Sequence, residues 1–349
     1  MLYKIQAGDT LYALSQKHQI TVDEILMVNP QILHPDYVSI NQTIIIPVET
    51  QQIVAPGDKY GYDEMEQDIR ALVTRYPFIE LFTIGQSVEG RNLYLLRIGR
   101  GTKQVHYNAA FHANEWITTP VLMKFLEDYA EAYDSKQLLN GYDMEYLYNT
   151  TSLYVVPMVN PDGVQLVLHG IDQSNPRYSE VLRINNGSHD FNGWKANIHG
   201  VDLNDQFPAY WQEEFDRRGV TAPAPANYPG PAPLSEPESQ AMANFTRQHN
   251  FRMILAYHTQ GEVIFWGYRD LEPPEAESQR IVRRFEQLSG YQPIRSVDSD
   301  AGYRDWYVLE WRRPGFTVEV GRGVNPLPIS QFARIYEDNI GILIEALIL

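Results

Sequence analysis

Apolar and polar positions fall into two kinds of pattern along the chain. In residues 1–48 the apolar positions come in short bursts: Tyr3 and Ile5, Leu11 and Leu14, Ile25, Leu26 and Val28, and finally residues 43–47. The outer bursts read as strands and the middle two as short helices, which predicts a compact βααβ unit. Asp9 or Thr10 can cap the first helix, Thr21 and Glu24 form a capping box for the second, and Asn29-Pro30 stops it. Residues 49–59 are polar and turn-rich, as a linker is, and from residue 60 to 349 strands alternate with helices. The pattern there predicts a helix over 63–76, strands over 79–84 and 93–98, and a buried strand over 104–110. A helix over 121–133 follows, entered through Thr119 as cap and Pro120 as first helical residue. Next come a strand over 154–160 closed by the turn Asn160-Pro161-Asp162-Gly163, a helix opened by the capping box Ser235/Glu238, and a strand over 253–257. The chain ends with helices over 275–288 and 303–311, a strand over 316–320 and an apolar core helix over 340–349. This alternation predicts an α/β fold.

The chemistry concentrates where strands end. His112 and Glu115 stand three residues apart just past the 104–110 strand, a spacing and a location suited to a metal ion. His258 follows another strand, and Glu319 lies within an apolar one, where a buried carboxylate is costly unless paired or protonated. Glu319 is therefore the candidate general base. Asp162, at a neighbouring strand end, is a candidate partner for the second ring nitrogen of His112.

Composition narrows the chemistry further. With no cysteine in 349 residues, a metal must be held by His, Asp or Glu. A formal net charge of -16 argues against nucleic acid as a partner, and no apolar run reaches the ~20 residues needed to span a bilayer. The N-terminus enters patterned sequence at once, so no signal peptide is expected.

Tyr3-x-Ile5-x-x-Gly8-Asp9-Thr10-Leu11, Leu26-x-x-Asn29-Pro30 and Ile44-x-Ile46-Pro47 resemble a LysM module. The resemblance implies binding to N-acetylglucosamine-containing glycans such as peptidoglycan; one departure is Ile40-Asn41-Gln42, where a Gly-Gln turn is common. Further on, His112-x-x-Glu115, Asn160-Pro161-Asp162-Gly163, Gly200-Val201-Asp202-Leu203-Asn204, the segment from Pro229-Gly230 to Glu238, His258 and Phe316-Thr317-Val318-Glu319 resemble, in order, the zinc carboxypeptidases of the carboxypeptidase A type. That resemblance implies an α/β/α sandwich around a mixed, mainly parallel sheet, preceded by the small βααβ LysM domain. It also implies one Zn2+ on His112, Glu115 and His258, Glu319 activating the water, and Lys195 standing where the family carries an oxyanion-stabilising arginine.

Departures from the exopeptidase pattern bear on substrate. Asn204-Asp205 replaces an Asn-Arg pair whose arginine grips a terminal carboxylate, so Asp205 is expected to attract an amine instead. Together with LysM, this is similar to the γ-D-glutamyl-L-diamino acid endopeptidase branch, which cuts muropeptide stem peptides before diaminopimelate or lysine. The resemblance implies that Asn204, Asp205, Tyr303 and Arg304 contact substrate, with Arg304 on a carboxylate, and that Val297 falls where the family has a mobile tyrosine. It implies action at the bacterial cell wall or spore, with non-Sec release. A LysM-bearing carboxypeptidase of broader specificity and an inactive wall-binding protein are the alternatives.

Overall fold

The computed structural model describes residues 2–18, 20–46, 52–271, 275–295 and 298–349, and the chain divides into two compact units, Met1–Ala55 and Pro56–Leu349. In the first, β1 (Leu2–Lys4), α1 (Leu11–His18), α2 (Val22–Met27) and β2 (Thr43–Ile45) give the βααβ order, with β1 and β2 antiparallel and Tyr3 opposite Ile44. Thr10 rather than Asp9 caps α1, its hydroxyl accepting from the Ala13 amide at 3.0 Å, and Thr21 with Glu24 forms the capping box on α2. Asp9 instead receives the Tyr3 hydroxyl and the Gln6 amide. Asn29, fully buried, joins α2 to β2: its Nδ2 donates to the carbonyls of Ile25 and Ile45 and its Oδ1 accepts from the Ile45 amide. Asn41 adopts φ 70°, so the residue that departs from the module's usual glycine takes the left-handed conformation asparagine tolerates best after glycine. Ile5, Leu11, Leu14, Ile25, Ile44 and Ile46 make the core, and Pro47 lies outside the described residues.

The second unit runs α3 (Tyr62–Arg75), β3 (Glu80–Gln86), β4 (Asn92–Ile98), β5 (Lys103–Ala109), α4 (Thr118–Ser135), a small hairpin β6–β7 (Leu138–Leu139, Tyr142–Asp143), α5 (Met144–Thr150), β8 (Thr151–Val156), α6 (Pro161–His169) and α7 (Tyr178–Ile184). It continues through α8 (Trp211–Arg218), α9 (Pro237–Arg247), β9 (Phe251–His258), β10 (Val263–Phe265), α10 (Glu275–Ser289), β11 (Gln292–Ile294), α11 (Tyr303–Trp311), β12 (Gly315–Glu319) and α12 (Phe332–Ile348). Eight strands form one mixed sheet in the order β11-β10-β12-β9-β5-β8-β4-β3. The pairs β12/β9, β9/β5, β5/β8 and β10/β11 are parallel, and the rest are antiparallel.

Alternation along β5 shows how the sheet is covered. Tyr107 donates its hydroxyl to the Leu343 carbonyl of α12 and its ring meets Phe125 of α4, whereas His106 next door packs against Phe245 of α9 and Tyr303 of α11. Successive side chains point to opposite faces, so helices cover both and the architecture is the expected α/β/α sandwich. Several elements differ from the pattern reading: β8 runs over Thr151–Val156 rather than 154–160, α12 begins at Phe332 rather than at 340, and three further differences are local. The helix after β5 begins at Thr118, because the Thr118 hydroxyl accepts from the Ala110 amide and donates to the Glu115 carbonyl, closing the turn two residues early. Asn160-Pro161-Asp162-Gly163 is the first turn of α6, with Asn160 as cap and Pro161 at its start. Ser235 does not cap α9, which begins after Glu236, and its hydroxyl goes to Gln206 and Glu236. Among the described residues no helix is long and apolar enough to cross a membrane.

Candidate metal centre

The register of the three central strands builds the site. β12 pairs with β9 so that Glu319 stands beside His258, and β5 pairs with β9 so that Ala109 stands beside Tyr257. Past Ala109 the chain turns at Ala110, with φ 53°, and delivers His112 to the level of His258. A short 3-10 turn, Ala113–Glu115, then swings the Glu115 carboxylate between the two imidazoles. His112 Nδ1 lies 2.9 Å from Glu115 Oε1, and His258 Nδ1 lies 2.9 Å from Glu115 Oε2. One donor atom from each of the three falls within 4.8 Å of the others.

Two nitrogens and a carboxylate converging at strand ends form a zinc site with room for a further ligand. Its electrostatics suit a cation. Burial alone would push His112 down, yet Glu115 and Asp202 raise its pKa to about 10. Burial would raise Glu115, but His112 and His258 hold it well below the usual carboxylate range, while burial lowers His258. Two anions facing two imidazoles thus hold a positive charge even on a ring, and a divalent ion satisfies them better. The Glu115 carboxylate is aimed from behind: Oε2 also accepts from the Thr259 amide at 3.2 Å, and Asn325 reaches Oε1 with its Nδ2 at 3.5 Å while bonding both the hydroxyl and the carbonyl of Thr259.

The partner of His112 is Asp202, whose Oδ1 lies 3.2 Å from Nε2. Asp162, expected in that role, is occupied elsewhere: it accepts from the Ser87 hydroxyl, the Glu89 amide and Arg91 Nη1 at 2.6–2.8 Å. It braces the β3–β4 turn. Asp202 was in view as part of Gly200-Val201-Asp202-Leu203-Asn204, and the signal that could have singled it out is its place just before the 3-10 turn Leu203–Asp205, which it caps through the Asn204 amide.

Glu319 and Lys195 share an open pocket of ≈ 470 Å³ with His112, Glu115, Phe265 and Asn325. Glu319 is half-buried on an inner strand, and burial, followed by the Glu115 charge, pushes its pKa up to about 8. Lys195 Nζ lies 3.8 Å from Glu115 Oε1; burial works against its charge, but Glu115, Asp202 and Glu319 raise its pKa. Asn160 fixes both ligand turn and lysine loop, donating Nδ2 to the carbonyls of Phe111, Ala196 and, at 3.4 Å, Lys195. The Ala113 amide adds a bond to the Lys195 carbonyl.

The remaining expected substrate contacts divide. Asn204 is half-buried, its Oδ1 accepting from the Tyr303 amide and its Nδ2 without a partner among the described residues. Arg304 is 7 % exposed; it donates to the Gly267 carbonyl, lies 3.2 Å from Asp305, keeps an unpartnered Nε and borders a hollow of ≈ 260 Å³ with Asp298 and Asp300. Tyr303, expected among the substrate contacts, does not line the metal pocket. It is fully buried, bonds Thr246 through its hydroxyl and packs on Phe111, Phe207 and His106, because the helix periodicity that turns Arg304 outward turns its neighbour in. Asp205 is not available to an amine: it is 1 % exposed, Arg218 Nη2 donates to its Oδ1 at 2.9 Å, and Arg218 Nε lies 2.9 Å from Oδ2 as an ion-pair contact without hydrogen-bond geometry. Val297 lies outside the described residues.

Residues 65–340 match the family model described as zinc carboxypeptidase, and residues 3–47 match the LysM domain. The chain is 51 % identical over 300 residues to gamma-D-glutamyl-L-diamino acid endopeptidase 1 of Lysinibacillus sphaericus, covering 86 % of this chain and 75 % of that protein. It is 46 % identical to the uncharacterized protein YqgT of Bacillus subtilis strain 168, over 82 % of this chain and 77 % of the relative. Among solved structures, thrombin activatable fibrinolysis inhibitor superposes with a TM-score of 0.66 at 20 % identity, covering 86 % of this chain and 77 % of the other. Carboxypeptidase A from Helicoverpa armigera does so with a TM-score of 0.62 at 19 % identity, covering 86 % and 76 %. These two likenesses are of fold.

Proposed function

We propose, from the premise that the chain belongs to the zinc carboxypeptidase family, that it hydrolyses the γ-D-glutamyl–diamino acid bond of peptidoglycan stem peptides and is held on wall glycan by its LysM unit. The observation that carries the reading is the triangle of His112 Nδ1, Glu115 and His258 Nδ1 with Glu319 one strand away, in a chain half identical to a relative bearing that activity's name.

Zinc bound there supplies Lewis acidity, polarising a carbonyl oxygen, acidifying water and lowering the pKa of nearby Glu319 as any close positive charge does. Everything else is the work of the chain. Glu319 takes a proton from water as its oxygen adds to the γ-carbonyl carbon, and returns it to the leaving nitrogen as the carbon–nitrogen bond breaks. Lys195 places an ammonium where negative charge develops on the carbonyl oxygen, as a point charge rather than a fork. Asp202 orients the His112 ring from its far nitrogen. Asn204 offers its amide nitrogen to polar groups of the stem peptide, while Arg304, whose Nε is buried, borders a hollow lined by other residues than the metal pocket.

A defined muropeptide, L-Ala-γ-D-Glu-diaminopimelate-D-Ala, decides the matter when its products are weighed. The expected fragments are L-Ala-D-Glu and diaminopimelate-D-Ala. Release of D-Ala alone would identify a carboxypeptidase of broader specificity, and an intact substrate with zinc-loaded protein would overturn the activity.

A further inference from the structure

The Leu203–Asp205 turn has a carboxylate at either end, and each is committed. Asp202 holds His112 of the metal triangle; Asp205, three residues on, holds Arg218 at the last position of α8. Arg218 is gripped a second time by Glu214, whose Oε1 lies 2.7 Å from Nε. Both gripping carboxylates are buried, at 1 % and 0 % exposure, yet the arginine side chain remains 30 % exposed. The contacts all fall on the Nε and Nη2 edge of the guanidinium. Nη1 has no partner among the described residues, so one edge of a fork designed for a carboxylate faces outward.

A short chain of contacts links Arg218 to the chemistry: it is held by Asp205, in the same turn as Asp202, whose Oδ1 lies 3.2 Å from His112 Nε2, and its charge acts on both Asp202 and Lys195. The surroundings also ask for a cation. Glu115, Asp202, Asp205, Glu214 and Glu319 crowd this side of the molecule, and a stem peptide brings further carboxylates that such a field repels. A bare Asp205 would worsen the repulsion, whereas Arg218 offsets it and leaves its Nη1 side free for an incoming anion.

We infer that Arg218 is a specificity-determining residue that binds a stem-peptide carboxylate flanking the scissile bond, with Asp205 and Glu214 as the positioning residues that hold its fork in place. This rests on the function proposed above and refines it. Two of the substrate's three carboxylates adjoin the scissile bond, the α-carboxylate of the γ-linked D-glutamate and the L-centre carboxylate of diaminopimelate, and the test separates them.

Steady-state kinetics are measured on L-Ala-γ-D-Glu-diaminopimelate and on two analogues, one carrying an α-carboxamide on glutamate and the other a carboxamide at the L-centre of diaminopimelate. For the wild type, one of the two carboxamides is expected to raise KM about 10- to 100-fold with kcat little changed, as the loss of a charge-assisted hydrogen bond does, and that analogue names the carboxylate. Arg218→Gln should raise KM for the parent by a similar factor and abolish the discrimination, and Arg218→Lys should retain part of it. Because Arg218→Gln leaves buried carboxylates unpaired, the balanced double variant Asp205→Asn/Arg218→Gln is measured beside it, with thermal unfolding as the check on folding. Equal KM for all three substrates in the wild type, or discrimination that survives in the folded double variant, overturns the inference while leaving γ-D-glutamyl cleavage standing. Absence of that cleavage in the wild type overturns both.

Discussion

Two carboxylates in the same small pocket are driven in opposite directions. Glu115, between two imidazoles, is held ionised and can only be a ligand; Glu319, through its burial and then the Glu115 charge beside it, is pushed up to about 8 and can hold a proton. Glu319→Gln keeps the shape and removes the proton carrier, so zinc content by metal analysis should stay at one per chain while kcat falls by about 10²–10⁴-fold. Near-normal turnover would take Glu319 out of the mechanism. The residues read from sequence with most success, His112, Glu115 and His258, are those whose chemistry is distinctive at a strand end. Asp162 and Asp205 were misplaced for a shared reason: a carboxylate's role depends on which cation or donor reaches it, and the partners lie 71 residues from Asp162 at Arg91 and 13 residues from Asp205 at Arg218, with a helix between in the second case. No periodicity reports such a pairing.

At the scale of elements, the strands were legible because β8, β9 and β12 are buried and largely apolar and β5 buries Val105, Tyr107 and Ala109, and the helices because their caps and stripes are conventional. Boundaries moved where a side chain outbid the local pattern, as Thr118 does at α4. Asn160 is the clearest instance of a residue whose importance is invisible in its tetrapeptide. It caps α6 through the Gly163 amide and simultaneously ties together the turns that carry His112 and Lys195. Asn160→Ala removes a cap and leaves buried carbonyls unsatisfied, and should cost about 2–4 kcal/mol in denaturant unfolding together with a fall in kcat. A loss below about 1 kcal/mol with normal kcat would mean that backbone bonds alone hold the two turns.

At the scale of the whole molecule, the βααβ unit has its own core and the sandwich has its own, so the wall binding and the stem-peptide cleavage proposed above fall to separate units. Removing residues 1–55 should leave kcat/KM on a small soluble muropeptide unchanged and reduce co-sedimentation with insoluble peptidoglycan, because the unit raises local concentration rather than altering the chemistry. Equal sedimentation with and without the unit would remove its anchoring role. The pairing of Glu319 with His258 has a different kind of consequence. Base and ligand are spaced by backbone hydrogen bonds in the middle of a sheet, where a one-residue slip would throw every side chain of the strand to the wrong face. Arg218 and Arg304 sit on helices outside that sheet. Heritable change can therefore retune what the enzyme accepts by altering those helices and their connecting loops, while the bond-breaking core is inherited intact, and one scaffold can diverge toward new wall chemistries without passing through an inactive ancestor.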